Sequence, residues 1–383
     1  MRRACGLLVW IWILGMLPRT ALAAPLEPGG KSSFLMDVTT GTVLYEANAH
    51  EPLAPASVTK VMTMLLIMEA IDSGAIGWED PVTTSEAAAA KGGSQIYLKV
   101  GETMTVTDML KSIAVSSAND CACAMAEHIA GSEAAFVDRM NVRAKELGMN
   151  DTHFVNCTGL DDGEDAGNHR TSAHDIAVMS RQLLKHHPEI KKFTTIWMDS
   201  VRNGTFGLSN TNKLVRFYDG ATGLKTGFTS GAGYCLSASA SRDGMELIAV
   251  VMGAATSKER FNTCKSLLDH GFANYTLLQP DLTEVSSVPV KLGKAPQVSP
   301  ILGEQAGLLI DKAQKGSITT EVQLEETLTA PVSQGQRLGT LTVKAGDKIL
   351  REVPLLAAEG VERLRFGDLF IRVLRRAAMA KPA

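Results

Sequence analysis

Ser57 and Lys60 are the residues of this 383-residue sequence whose types and spacing most directly suggest chemistry. The hydroxyl group stands three positions before the lysine, and positions i and i+3 share one face of a helix. An apolar run at residues 61–68 follows, so burial and the positive end of the helix dipole both disfavour the ammonium form of Lys60. A lysine that is neutral near neutral pH can accept the serine proton. The pair therefore predicts a serine nucleophile with a lysine general base.

The S-x-x-K pattern alone is not specific, because a chain of this length contains about one by chance. A helix N-cap serine followed by a surface lysine is the alternative interpretation. Two motifs that occur once each further along the chain favour the active site, and they are Ser117-Ala118-Asn119 (S-x-N) and Lys225-Thr226-Gly227 (K-T-G). Together, the motifs predict one catalytic centre.

The elements around these motifs predict an α+β domain, in which a mostly helical insertion interrupts an antiparallel sheet flanked by helices. Strands are predicted at residues 32–37 and 42–48, before the helix that starts at Ser57, and at residues 222–228, 234–241 and 245–253. Helices are predicted between them at residues 107–113, 120–130, 132–147 and 172–185, and a helix at residues 257–275 closes the domain. Ser57 would then lie on the floor of a cleft, Ser117 and Asn119 on its helical wall, and Lys225 on an edge strand.

The chain after Gln279-Pro280 predicts a second, smaller domain and a terminal helix. Short β-type stretches alternate with turn residues over residues 281–357, which is typical of a small all-β sandwich. Residues 361–383 predict an amphipathic helix that lies on an anionic membrane surface, with a helix packed on the β-domain as the alternative. Its apolar face consists of Phe366, Leu369, Phe370, Val373, Leu374 and Ala377.

The N-terminus predicts export. Arg2 and Arg3 precede an apolar run, and Ala21-Leu22-Ala23 offers a cleavage site, so residues 1–23 are interpreted as a signal peptide rather than an uncleaved anchor. The first domain then spans residues 24–278 and lies beyond the cytoplasmic membrane. Removal of the signal leaves five cysteines, which are interpreted as small buried residues without disulfides: Cys121, Cys123, Cys157, Cys235 and Cys264.

The net charge and the histidine spacing argue against a nucleic-acid partner and against a metal site. The formal net charge of −3, without a dominant basic stripe, argues against nucleic-acid binding. His153, His169 and His174 do not have the spacing of metal ligands on one helix, so neither a metal nor another cofactor is expected.

The sequence resembles the D-alanyl-D-alanine carboxypeptidases, which are serine peptidases among the low-molecular-mass penicillin-binding proteins. The three motifs together are a signature shared by penicillin-binding proteins and class A β-lactamases, and Ala118 in place of aspartate favours the carboxypeptidase. The resemblance implies a β-lactamase/transpeptidase-like fold. It also implies removal of the terminal D-alanine from peptidoglycan stem peptides through a Ser57 acyl-enzyme, β-lactam inhibition, and attachment to the outer face of the cytoplasmic membrane.

The resemblance also assigns roles within the motifs. Ser57 is the nucleophile and Lys60 its general base, Ser117 relays a proton to the leaving D-alanine, and Asn119 holds Lys60 and the substrate amide. Substrate binding falls to Lys225, Thr226, Gly227, Phe228 and Arg260.

The expected roles of two binding residues, Phe228 and Arg260, need to be specified further. The backbone N–H groups of Ser57 and Phe228 would form the oxyanion hole. Family members often have histidine at the position of Phe228, so substrate preference is expected to differ. Arg260 occupies the place of a basic residue near the substrate carboxylate, with a helix-surface arginine as the alternative.

Three other functions share part of this pattern. A β-lactamase would need a deacylating glutamate, for which Glu164 with Asn168 has the spacing, although its neighbours are typical of a solvated turn. An endopeptidase acting on cross-links has the same motifs. A non-catalytic cell-wall-binding protein would have a degenerate site, which the complete motifs argue against.

Overall fold

The computed structural model describes Leu26, residues 28–162, residues 165–303, residues 307–368 and Phe370. The predicted signal peptide and Glu164 lie outside these residues, as does most of the predicted terminal helix.

The helices of the first domain follow the apolar periodicity closely. Their bounds are α1 (Lys60–Asp72), α2 (Glu86–Ala89), α3 (Val106–Ser116), α4 (Asn119–Ala130), α5 (Glu133–Glu146), α6 (Ala173–His186), α7 (Lys191–Thr194), α8 (Leu214–Phe217) and α9 (Ser257–Asn274). Side-chain caps start several of them, for example Ser132 at α5 and Ser172 at α6, each accepting a hydrogen bond from a backbone N–H three residues ahead. The four predicted helices of the insertion and the closing helix are confirmed to within a few residues.

The strands of the first domain are β1 (Ser32–Asp37), β2 (Val43–Ala47), β3 (Pro81–Thr83), β4 (Thr103–Thr105), β5 (Met198–Val201), β6 (Phe206–Ser209), β7 (Ala221–Thr229), β8 (Gly233–Arg242), β9 (Met245–Ala254) and β10 (Tyr275–Leu278). One antiparallel sheet has the order β2-β1-β9-β8-β7, so the predicted sheet is confirmed and the K-T-G strand β7 lies at its edge. The two-stranded sheets β3–β4 and β5–β6 were not predicted, because strands of three or four residues carry little periodicity.

Two cores lie on the two faces of this sheet. The larger one surrounds α1, which is buried on nearly all sides and packs against α3, α4 and α6. The smaller one lies between the sheet and α9. All five cysteines of the described part are buried and unpaired, as predicted.

The second domain consists of short strands in small sheets. They are β11 (Val288–Lys291), β12 (Gln297–Val298), β13 (Pro300–Leu302), β14 (Leu308–Asp311), β15 (Ile318–Leu324), β16 (Leu328–Thr329), β17 (Arg337–Ala345) and β18 (Lys348–Ala357). The sheets have the orders β12-β11-β16 and β13-β18-β17-β15, and β10 pairs with β14 where the domains meet. Val361 is buried in the core of this domain, so its packing extends past the predicted end at residue 357.

Candidate active site

Ser57 and Lys60 lie together at the start of the central helix. A 3₁₀ turn at Ala56–Thr59 precedes α1, which begins at Lys60. Lys60 Nζ is 3.0 Å from Ser57 Oγ, so the shared face predicted from the spacing is present, although the serine lies in the 3₁₀ turn rather than in the α-helix itself. Ala56 has φ 49°, a left-handed conformation that an alanine rarely adopts, directly before the nucleophile.

Burial sets the chemistry of Lys60. Its side chain is completely buried, and the loss of hydration lowers its pKa to about 7, against weaker opposing effects of Cys157 and Asp120. Near neutral pH a large fraction of Lys60 is therefore the free amine. This fraction can accept the proton of a hydroxyl group 3.0 Å away.

A tight turn at residues 156–160 holds the other side of Lys60, and none of the sequence motifs indicates it. Lys60 Nζ donates to the carbonyl of Thr158 at 2.8 Å. The Asn156 side chain folds this turn, since its Oδ1 accepts from Thr158 N, Thr158 Oγ1 and Gly159 N and its Nδ2 donates to Leu160 O. The signal in the sequence was an asparagine followed by a glycine three residues later, a common turn composition that is not specific for a catalytic site.

Gly159 is required where this turn meets the nucleophile. Its φ is 82°, and a Cβ placed there would lie 1.8 Å from the carbonyl oxygen of Ala56. The turn and the 3₁₀ helix therefore approach closely only because residue 159 has no side chain.

His169 supports the same turn from behind. Its Nδ1 accepts from Val155 N at 3.1 Å, so Nε2 carries the proton that it shares with Thr59 Oγ1 at 2.8 Å. Burial lowers the pKa of His169 to about 4, which keeps the ring neutral near neutral pH.

Ser117 follows the last residue of α3 and Asn119 is the first residue of α4, so the predicted loop between the two helices is reduced to a tight break at residues 117–118. Ser117 has φ 62° and ends α3 in the left-handed region, which turns its side chain out of the helix path. Ser117 Oγ and Asn119 Oδ1 are both buried and have no hydrogen-bond partner among the described residues. Asn119 Nδ2 donates to Gly92 O at 2.7 Å, so the predicted hydrogen bond between Asn119 and Lys60 is absent from this structure.

The K-T-G strand runs directly beside the nucleophile. A Cβ on Gly227 would lie 2.6 Å from Pro55 O and 3.1 Å from Ser57 N, so the strand reaches Ser57 only with glycine at this position. Thr226 Oγ1 donates to Thr211 Oγ1 at 2.6 Å, which fixes the threonine rotamer. Thr211 follows β6 and was not identified in the sequence analysis.

The site gathers three basic side chains, those of Lys60, Lys225 and Arg260. Lys225 is buried, and desolvation, followed by the charges of Lys60 and Arg260, lowers its pKa well below the usual value. Lys60, Lys225 and Arg260 form no ion pair with a carboxylate in the part of the chain that the structure describes. An anionic ligand would favour the protonated forms of the two lysines, so a cluster of basic groups without carboxylate partners suits such a ligand.

Arg260 and Phe228 border the cleft beyond the K-T-G motif. Arg260 is buried and donates from Nη1 to Gly227 O at 2.8 Å and to Cys235 O at 3.2 Å, which excludes the helix-surface alternative. Phe228 is 52% exposed and stacks on Tyr234 with ring centroids 4.3 Å apart. The Arg260 guanidinium lies over the Tyr234 ring at 5.3 Å, so arginine and aromatic pair form one wall.

Sequence comparisons agree with this geometry. The family described as D-alanyl-D-alanine carboxypeptidase matches residues 19–256, and the family described as penicillin-binding protein 5, C-terminal domain, matches residues 272–363. The D-alanyl-D-alanine carboxypeptidase DacF of Bacillus subtilis (strain 168) is 46% identical over 342 residues, which cover 88% of this chain and 87% of the relative.

Structure comparisons give two kinds of neighbour. Penicillin-binding protein 5 from Haemophilus influenzae is similar with a TM-score of 0.72 and 30% identity, over 89% of this chain and 100% of that chain. The ampicillin-bound form of penicillin-binding protein D2 from Listeria monocytogenes is similar with a TM-score of 0.59 and 32% identity, over 64% of this chain and 99% of that chain. The second coverage corresponds in length to the first domain alone.

Proposed function

The chain belongs to the D-alanyl-D-alanine carboxypeptidase family, and from this membership and the site geometry we propose that Ser57 attacks the terminal D-Ala-D-Ala bond of peptidoglycan stem peptides. This serine-type carboxypeptidase acts on peptidoglycan and binds penicillins. The resemblance carried by the three motifs is thereby confirmed at the level of the family. The contact of 3.0 Å between Lys60 Nζ and Ser57 Oγ is the observation that carries the residue assignment.

Acylation uses the hydroxyl group and the free amine. Ser57 Oγ bonds to the carbonyl carbon of the penultimate D-alanine while its proton passes to Lys60 Nζ. The peptide C–N bond then breaks, and Ser117 Oγ relays the proton to the amine of the leaving D-alanine. Water hydrolyses the ester in the second half of the reaction, which releases the shortened peptide and restores the Ser57 hydroxyl.

Substrate binding uses the opposite wall. The terminal carboxylate of the substrate is an anion, and the Arg260 guanidinium supplies positive potential that attracts it. The bound carboxylate would in turn favour the protonated form of Lys225. The unpartnered Asn119 Oδ1 is available to a substrate amide. The backbone N–H groups of Ser57 and Phe228 stabilise the negative oxygen of the tetrahedral intermediate.

The test compares the wild type with Ser57→Ala. We expect the wild type to release D-alanine from diacetyl-Lys-D-Ala-D-Ala and to be labelled covalently by a fluorescent penicillin, and Ser57→Ala to do neither while keeping its circular dichroism spectrum. Ser57 forms no capping hydrogen bond, so its loss should cost less than the ~1 kcal/mol of a helix cap. Covalent labelling of the variant would refute the assignment.

The alternative functions are distinguished by the same preparation. The family findings do not favour a β-lactamase, an endopeptidase or a non-catalytic protein. A long-lived acyl-enzyme is expected with penicillin, whereas rapid steady-state hydrolysis would support the β-lactamase.

We further propose that the mature protein works outside the cytoplasmic membrane, attached through its C-terminal segment. Its substrate lies there, and residues 1–23 have the composition of a signal peptide. Among the described residues, none of the helices combines the length and apolarity that crossing a bilayer would require. Phe366 and Phe370, at the start of the predicted apolar face, are 85% and 57% exposed, which supports a membrane partner over packing on the β-domain.

Sedimentation with anionic liposomes tests the attachment. We expect the mature chain to bind, with weaker binding at high salt, and a chain ending at Arg365 to remain in solution. This end point keeps Leu364, whose N–H donates to Leu292 O, so the β-domain stays intact. The double variant Phe366→Ser/Phe370→Ser is the matched full-length control and should bind weakly. Equal sedimentation of the mature and shortened chains would show that the segment is not the anchor.

A further inference from the structure

Tyr97 is an exposed aromatic residue held in an unfavourable backbone conformation. Its φ is 59°, in the left-handed region, and its side chain is 70% exposed. Its neighbours Ile96 and Leu98 are buried at 0% and 4% exposure. A tyrosine in this region is strained, and such strain persists only where the surroundings impose it.

A buried carboxylate imposes the conformation from inside. Asp120 follows the S-x-N motif and has no solvent exposure. Its Oδ2 accepts from Ile96 N at 3.1 Å and from Leu98 N at 3.0 Å, so one carboxylate holds the backbone on both sides of Tyr97. The two amides converge on that carboxylate, and the tyrosine between them points outward.

An arginine holds the same segment from outside. Arg202 donates from Nη1 to Ile96 O at 2.7 Å and from Nη2 to Tyr97 O at 3.3 Å, and it pairs with Glu102 at 2.6 Å. The Tyr97 ring contacts Phe206 edge to face, with centroids 6.4 Å apart, and Arg202 lies over the Phe206 ring at 5.4 Å. The result is a rigid, solvent-facing aromatic surface with charged groups beside it.

The segment that carries Tyr97 is part of the catalytic wall. Asn119 donates from Nδ2 to Gly92 O and from its backbone N to Ser94 O, both at 2.7 Å. Tyr97 lies three positions after Ser94, which limits the distance between their Cα atoms to about 10 Å. The residues of a stem peptide that precede the two D-alanines span a similar length when extended.

We propose that Tyr97 binds the amino-sugar end of the substrate, the N-acetylmuramic acid from which the stem peptide extends. This inference rests on the proposed function, because it assigns the far end of the same substrate. Tyrosine combines an apolar ring face with a polar tip and loses little conformational entropy on binding. The C–H face of a pyranose ring packs on such a surface. Arg202 and Glu102 lie beside this surface and offer hydrogen-bonding groups to the sugar hydroxyl and acetamido groups.

The test uses two substrates that differ only in the sugar: a stem pentapeptide ending in D-Ala-D-Ala, and the same peptide bearing N-acetylmuramic acid. We expect Tyr97→Ala to lower kcat/KM for the sugar-bearing substrate by about five- to tenfold more than for the free peptide. Tyr97→Asn removes the ring but tolerates the left-handed conformation, so it should behave like Tyr97→Ala if the ring, and not the strain, matters. Tyr97→Phe keeps the ring and should retain most of the discrimination.

Phe217→Ala is the matched control, because Phe217 is 73% exposed and also forms an aromatic pair, with Trp197. It should leave the ratio between the two substrates unchanged. Equal losses on both substrates in Tyr97→Ala and Tyr97→Asn, or no loss on either, would overturn the proposal.

Equilibrium binding to Ser57→Ala separates this inference from the proposed function. The dissociation constants of the two compounds should differ, and the difference should disappear in Ser57→Ala/Tyr97→Ala. A wild type that releases D-alanine from neither compound would refute the proposed function. Equal dissociation constants in the Ser57→Ala protein would refute the role of Tyr97.

Discussion

At the scale of single residues, the proposed mechanism depends on the protonation state of Lys60. Lys60 loses its proton near neutral pH because α1 and the 156–160 turn exclude water from it. The carbonyl of Thr158 and the hydroxyl of Ser57 are the hydrogen-bond partners that the structure gives to its amino group. If Lys60 is the base, both its replacement by arginine and a change of pH should alter the rate of acylation.

Lys60→Arg should be as inactive as Lys60→Ala. A guanidinium stays protonated under all conditions relevant to proteins, so it cannot accept the Ser57 proton, whatever its position. The measurement is the second-order rate of covalent labelling by fluorescent penicillin. Labelling of Lys60→Arg at a rate near that of the wild type would rule out Lys60 as the general base.

The rate of acylation should depend on pH with an apparent pKa of about 7. The free amine is the active form, so the rate should reach a plateau above this pKa and fall about tenfold for each pH unit below it. Penicillin labelling in a series of buffers measures the profile, with circular dichroism at each pH as the control for folding. A rate that does not change across neutral pH would contradict the assignment.

At the scale of elements, the site is assembled by close backbone approaches. The 3₁₀ turn before α1 touches both the 156–160 turn and strand β7, at Gly159 and at Gly227. His169 links the 3₁₀ turn to the segment before the 156–160 turn, because its ring hydrogen-bonds both Thr59 Oγ1 and Val155 N. Substitutions in these elements should alter the geometry of Ser57 without removing any catalytic group.

Gly159→Ala should slow acylation and destabilise the protein by more than about 2 kcal/mol, because the new Cβ meets Ala56 O and φ is 82°. Gly167→Ala is the matched control, since a Cβ there has no neighbour within 4 Å. Thermal unfolding and penicillin labelling measure the two effects. Equal behaviour of the two variants would show that the turn does not need its glycine.

His169 should make the stability depend on pH on the acid side. Its pKa is about 4 in the folded chain and near 6.5 when unfolded, so the unfolded state binds more protons between these values. The contribution is present above pH ~6.5 and is lost as the pH falls towards about 4, amounting to about 3 kcal/mol. Urea unfolding at several pH values should show a shallower dependence in His169→Gln. An unchanged dependence would indicate that other groups dominate it.

At the scale of the whole molecule, all residues of the proposed active site lie within the first domain. The described contacts between the domains include the β10–β14 pairing and a hydrogen bond from Lys312 Nζ to Phe272 O, at the end of α9. The ampicillin-bound Listeria protein is similar over a length that corresponds to the first domain alone. The second domain is therefore expected to support the enzyme without shaping its chemistry.

A chain ending at Gln279 should be acylated by penicillin at the wild-type rate. Its Tm should be lower, because β10 loses its partner strand and α9 loses the Lys312 contact. Labelling kinetics and thermal unfolding of the two chains measure this. Clearly slower acylation of the folded, shortened chain would show that the second domain influences the cleft.

The sequence by itself determined the main elements and the groups of the proposed active site. Apolar periodicity placed the major helices and the five strands of the main sheet, because burial of one face leaves a repeat that can be read locally. The motifs identified Ser57, Lys60, Ser117, Asn119 and the K-T-G strand, since their chemistry depends on residue type and short spacing. The family resemblance then supplied Arg260 and Phe228 as candidates.

Only the tertiary structure decided what surrounds those groups. Three contacts show this: the Thr158 carbonyl that holds Lys60, the Asp120 carboxylate behind Tyr97, and the approach of Gly159 to Ala56. Each joins residues that are 22 to 103 positions apart in the sequence. Local sequence does not specify such contacts, because they arise when separate elements pack. The pKa of Lys60 is a property of that packing, since the same lysine in solvent would remain charged.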